Sequence, residues 1–196
     1  PSANVSAWKS LEAAHPKQIW IGCMAHELSL LFKDWVKKVP TVKDLYRRLK
    51  NITIWIRNHG DIAILFEEKV KAEHPGDKRK WTIQPYMPGD TRMGTVYKLA
   101  DRALKLKDIL LALVTDPRYK TSAQAAIAGY NSSTKPENRI PKAANGMYPD
   151  KIADDIMGSR SNMWALAESF IDTAKTYLYF HRLVDSTLPT MGKVYY

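Results

Sequence analysis

Every apolar run in this chain repeats at helical spacing except one. Residues 18–23 (Gln-Ile-Trp-Ile-Gly-Cys) form a short, β-branched and aromatic run, and they are the strand candidate. A single strand leaves its backbone donors and acceptors without a ladder partner. The expectation is a mainly α chain. Its one short strand would belong to a sheet whose other strands lie outside the chain.

The remaining pattern predicts helices. Residues 4–14 carry Val5, Trp8 and Leu11 on one stripe, and His15-Pro16 ends it. After the strand, Leu28, Leu31, Phe32, Trp35 and Val36 follow helical spacing until Pro40. Thr41 is placed to cap the next helix, which holds Val42, Leu45, Leu49, Ile52 and Ile56 on one face. Asn58-His-Gly60 reads as a C-cap, and residues 61–73 as another amphipathic helix. Residues 75–89 read as a polar loop. A long helix is expected over residues 93–114, through Val96, Leu99, Ala103, Leu106, Leu110 and Leu113, until Asp116-Pro117 interrupts it. Residues 129–149, rich in Asn, Ser, Pro, Lys and Gly, read as a flexible loop or insertion. A short helix follows over 150–157. Ser161 is the expected cap of a long final helix with Trp164, Ala167, Phe170, Ile171, Ala174, Leu178 and His181. Residues 186–189 break that pattern, and Thr190 starts one more helix.

A chain of 196 residues that is 45% hydrophobic can bury a sizeable core. Thirty Lys and Arg against twenty Asp and Glu give a net charge of +10, which suits nucleic acid or another polyanion. A solvated basic surface is the plain alternative. One cysteine excludes an internal disulfide, and nothing points to secretion. No basic-then-apolar leader opens the sequence, and no apolar run approaches roughly 18 residues, so no membrane span is expected. The start Pro-Ser-Ala-Asn lacks a Met, as expected of a processed or excised segment.

Cys23 and His26 sit three apart at the junction of the strand and the next helix. A structural zinc site takes four tetrahedral ligands. Here no second cysteine exists, and His59, His74 and His181 are isolated. The structural reading is a small buried thiol beside a hydrogen-bonded imidazole. A Cys-His nucleophile pair lacks an orienting third group. Asp34, Asp44, Asp61, Asp101 and Asp108 have basic neighbours at helical spacing, so local ion pairs account for them. Glu67-Glu68 reads as a helix face, and no Asp cluster is arranged for two magnesium ions. The basic residues are more informative. Lys37-Lys38, Lys43, Arg47-Arg48, Lys50 and Arg57 line the polar side of two consecutive helices. Lys78, Arg79, Lys80 and Trp81 share the polar loop, with Thr91 and Arg92 just after it. Arg and Lys neutralise phosphates, and an exposed Trp stacks on an unpaired base. Against this stand ordinary solvated helix faces and a buried Trp81. For the loop cluster the nucleic-acid contact is the favoured reading.

Three segments together resemble the central part of hAT-family transposases. The first runs from Ser2-Ala-Asn4 through Trp8 to Cys23-Met-Ala-His26-Glu-Leu-Ser-Leu, similar to the family's Asn-containing turn and Cys-x-x-His-x-Leu-Asn-Leu segment. The second is Asp90-Thr91-Arg92-Met93, similar to the family's Thr-Arg-Trp and followed by Leu99, Leu106 and Leu110. The third is Leu183-Val-Asp185-Ser-Thr-Leu-Pro189-Thr-Met-Gly192-Lys-Val-Tyr, which resembles the segment after a long helix in transposase-derived proteins. The resemblance spans nearly the whole chain, although each motif is short.

The resemblance implies an incomplete ribonuclease-H-like core over residues 1–36 and a basic helical insertion domain over residues 37–196. It implies two Asp and one Glu around magnesium or manganese in the full-length transposase, all three lying before Pro1 or beyond Tyr196. Catalytic residues and metal ligands are then expected to be absent from this segment, which alone would not cut DNA. Cys23 and His26 become an active-site-proximal motif. Thr91 and Arg92 face transposon-end DNA. Met93 replaces the family Trp and lacks its flat π face, which puts hairpin-type cleavage in doubt and fits a decayed or domesticated copy. A nuclear location and a homo-oligomer follow from the same resemblance. The rival expectation is a helical protein-interaction module of the same ancestry that does not cut DNA.

Overall fold

A computed structural model of the chain describes residues 2–15, 24–89, 94–131, 149–158 and 162–184. Among them the secondary structure is helical, with no strand. The α-helices are α1 (Ser2–Ala14), α2 (Met24–Lys38), α3 (Pro40–Asn58), α4 (Gly60–Glu73), α5 (Thr95–Lys105), α6 (Lys107–Thr115), α7 (Pro117–Asn131), α8 (Pro149–Met157) and α9 (Met163–Val184). A 3₁₀ turn (Lys78–Thr82) lies between α4 and α5. The strand expected over residues 18–23 lies outside the described residues. So do most of the expected loop over 129–149 and everything after residue 184.

The core is built around α3. Val42, Leu45, Leu49, Ile52, Trp55 and Ile56 are buried on it, and α2, α4, α5, α8 and α9 all pack against it. Burying one Leu or Ile side chain fully contributes about 1.5–3 kcal/mol, so this face contributes heavily to the packing of the bundle. The predicted apolar face of α3 is the observed one. Its start differs from the expectation. Val39 is the N-cap residue and Pro40 opens the helix, with no side-chain cap from Thr41. Pro suits the first helical position because the N–H it lacks would have no partner there. At the other end, His59 closes α3 and also precedes α4, so Gly60 begins a helix where a C-cap was expected.

The single long helix expected over residues 93–114 is two helices. Leu106 leaves helical geometry (φ −102°, ψ 6°), and its N–H reaches back to Arg102 O and Ala103 O, both at 3.1 Å. Leu106 is nonetheless buried, together with Leu99, Leu110 and Leu113. The apolar stripe continues through the break, which is why periodicity did not reveal it. Gly94, at φ 83°, admits the chain to α5 in a left-handed conformation that other residues adopt reluctantly.

α2 and α9 run antiparallel. Leu28 and Ser29 meet Tyr177 and His181, while Trp35 stacks on Phe170 at 5.0 Å between ring centroids. Phe32 fills the middle, 5.2 Å from the Tyr177 ring and 5.5 Å from that of Trp35. Phe32 and Val36 of α2 belong to the same core as α3 and α9. α7 is tied to α8 by the buried Tyr119, whose hydroxyl donates to Pro149 O at 3.4 Å; burial pushes that phenol up to about 12. The cap of α9 is Asn162, whose Oδ1 accepts from Ala165 N–H at 3.1 Å; the expected cap, Ser161, lies outside the described residues. Among the described residues no helix is long and apolar enough to cross a membrane.

Candidate nucleic-acid interface

The loop cluster sits on a short, well-tied turn. His74 ends α4, and its carbonyl accepts from Asp77 N–H at 3.2 Å and from the Trp81 indole N–H at 2.8 Å. Asp77 Oδ1 accepts from Arg79 N–H at 3.1 Å, which caps the 3₁₀ turn. Lys80 N–H donates to Asp77 O at 2.9 Å and Ile83 N–H to Lys80 O at 3.0 Å. Beyond the turn, Gln84 reaches Glu67 at 3.4 Å, and Ile83 and Tyr86 pack on the core. The chain between α4 and α5 is thus anchored at both ends of the turn.

On that frame the side chains of Lys78, Arg79 and Lys80 are all exposed. None of the three has a carboxylate partner among the described residues. Trp81 is half-buried, with its N–H committed to His74 O and the Lys78 ammonium 6.0 Å from its ring centroid. It pegs the turn to the end of α4.

The other predicted residues are placed less completely. His26 is exposed in the first turn of α2. Cys23, Thr91 and Arg92 lie outside the described residues. The flanks of the Thr91-Arg92 stretch are drawn together, because the Thr95 hydroxyl donates to Gly89 O at 3.1 Å. Among the described residues no three His, Cys, Asp or Glu side chains gather where they could hold a metal ion.

Many of the remaining charges neutralise one another. Lys38 pairs with Asp34, Lys105 with Asp101 and Lys175 with Asp172, each one helical turn away. Arg48 turns inward instead. It pairs with Asp44 at 2.6 Å and Asp155 of α8 at 3.5 Å. Burial raises the Asp155 carboxyl above its ordinary value, and Arg48 opposes that rise. The sequence could not separate Arg48 from its neighbour Arg47, since the pairing depends on where α8 lands. A shallow cleft of about 220 Å³ between α2, α3 and α9 was also invisible in the sequence; it is lined by Trp35, Val42, Leu166, Phe170 and others. Comparison with protein-family models, curated proteins and solved structures finds no match to this chain.

Proposed function

We propose that the chain is a DNA-binding helical segment of a hAT-like transposase or a domesticated derivative. It would bind and position DNA for metal-dependent cleavage and strand transfer by acids outside the segment. The observation that carries this reading is the Lys78-Arg79-Lys80 turn. Three exposed cations without carboxylate partners are held on a pre-formed frame, so binding a phosphate backbone breaks no ion pair and orders no loop. The net charge of +10 acts in the same direction by drawing polyanions to the surface. On this reading the catalytic acids and their magnesium or manganese belong to the full-length transposase, outside the segment. Nuclear location and self-association belong to the same proposal.

Salt titration tests it. The purified chain binds a DNA duplex with an affinity that falls linearly in log–log form as salt rises. Substituting Lys78, Arg79 and Lys80 by Gln lowers that slope by about 2.7, at roughly 0.9 per phosphate contact. Binding that ignores salt, or no binding at all, overturns the reading. The cleft beside Trp35 and Leu166 favours the second reading, a protein-interaction module, because an apolar concavity fits a partner's side chain. That mode of binding is insensitive to salt.

A further inference from the structure

We infer that the outer face of α3 is a second phosphate-binding surface, a line of cations formed by Lys43, Arg47, Lys50 and Arg57. The inference rests on the DNA-binding reading above and extends it to a face the loop cluster does not include. The four residues stand at i, i+4, i+7 and i+14, so they share one stripe of the helix opposite its buried face. The stripe is about 21 Å long at 1.5 Å per residue. Lys43, Arg47 and Arg57 are exposed, and Lys50 is half-buried with its ammonium 5.7 Å from the Tyr46 ring.

What distinguishes this stripe from an ordinary solvated face is where the carboxylates are. The one acid of α3, Asp44, lies beside the stripe and holds Arg47 and the inward-turned Arg48. Lys43, Lys50 and Arg57 have no carboxylate partner among the described residues. Local electrostatics oppose the arrangement. Lys43 stands near the positive end of the helix dipole, no acid occupies the first turn, and the cations repel one another at i,i+3 and i,i+4 spacing. A polyanion laid along the stripe relieves both. The carrier is also rigid, because the opposite face of α3 is the centre of the core. The partner that fits a straight, sequence-neutral row of cations is the backbone of a nucleic-acid duplex.

The test compares salt slopes for a short fluorescently labelled DNA duplex, read by anisotropy. The α3 variant Lys43→Gln, Lys50→Gln, Arg57→Gln is expected to lower the slope by about 2.7, at roughly 0.9 per lost contact. A control of equal charge change, Lys38→Gln, Lys105→Gln, Lys175→Gln, removes paired lysines and keeps the wild-type slope. Circular dichroism and thermal melts verify the fold. The charge-keeping set Lys43→Arg, Lys50→Arg, Arg57→Lys also keeps the slope; its loss would mean a structural effect and would overturn the inference. Equal slopes for the α3 variant and the paired-lysine control would overturn it too, while DNA binding through the loop stood. If the wild-type chain fails to bind the duplex at low salt, the DNA reading fails and this inference with it.

Discussion

Two turns in this molecule start with the same chemistry and end differently. Asp77-Lys78-Arg79 opens the 3₁₀ turn, and Asp116-Pro117-Arg118 opens α7. In both, the Asp Oδ1 accepts from the backbone N–H of the Arg two residues on, at 3.1 Å and 2.8 Å. At Asp116 the charges are then consumed. The Arg118 guanidinium reaches both carboxylate oxygens, Lys69 of α4 adds a contact at 2.6 Å, and Arg118 also reaches Glu68 at 2.8 Å. At Asp77 the Arg79 side chain, with those of Lys78 and Lys80, stays exposed. The capping turn is identical in kind. What differs is whether a second helix supplies counter-charges, and α4 supplies them only to Asp116. One turn therefore serves the fold and the other leaves its cations available for a partner.

The largest expected effect tests the structural turn. Asp116→Ala removes a cap and leaves Lys69 and Arg118 without their shared carboxylate, so the melting temperature falls by several degrees. Exchanging the arginines sharpens the contrast. Arg118→Gln lowers the melting temperature and leaves the DNA salt slope near its wild-type value. Arg79→Gln leaves the melt unchanged and lowers the slope by about 0.9. If both variants alter the same observable, the division between the turns is lost.

How far the sequence reveals this division depends on the range of the interaction. Helical stripes are local, so the buried faces of α3 and α9 were legible from Leu45, Leu49, Ile52, Trp164, Ala167 and Phe170. Caps were legible only in part. Thr41 looked like an N-cap, but the preceding Pro40 had already fixed the first helical position. The break at Leu106 was hidden because the residue is apolar and stays in register with the core. Among candidate site residues, Lys78 to Lys80 were legible as a charged group, but the peg formed by Trp81 and His74 was not. Pairings such as Arg48 with Asp155 or Lys69 with Asp116 join residues far apart in the chain. No single-sequence pattern encodes them. The strand and the Cys23, Thr91 and Arg92 positions lie outside the described residues, so the sequence alone speaks for them.

A pH titration separates two aspartates whose pKa shifts have opposite sign. The Arg118 and Lys69 side chains hold Asp116 well below the usual carboxylate range. Its folded pKa is under its unfolded value of about 4, so its stabilisation is present above that value and disappears as pH falls through the folded one. Asp155 is raised by burial. It favours the fold only while protonated, and that contribution declines as pH rises from the unfolded value through the folded one. Denaturant midpoints across the acid range should therefore rise less steeply with pH in Asp116→Asn and more steeply in Asp155→Asn. Changes of the same sign in both variants would sink the assignment.

The smallest effect concerns the exposed turn's own cap. Asp77→Ala removes one backbone hydrogen bond from a turn still held by the Trp81 indole on His74 O and by the Lys80 and Ile83 amides. An N-cap truncation costs about 1 kcal/mol in general, and a short surface turn with other ties lies toward the low end. The melt therefore barely moves. DNA affinity is the more sensitive observable, because a loosened turn must be ordered again when its cations meet phosphates. The expected signature is a modest loss of affinity at every salt concentration with the slope unchanged, since no phosphate contact is removed. A changed slope would mean that Asp77 sets the number of contacts. An unchanged affinity would mean that the Trp81 indole and the Lys80 and Ile83 amides fix the turn without the cap, and Trp81→Leu would then be the variant that separates frame from charge.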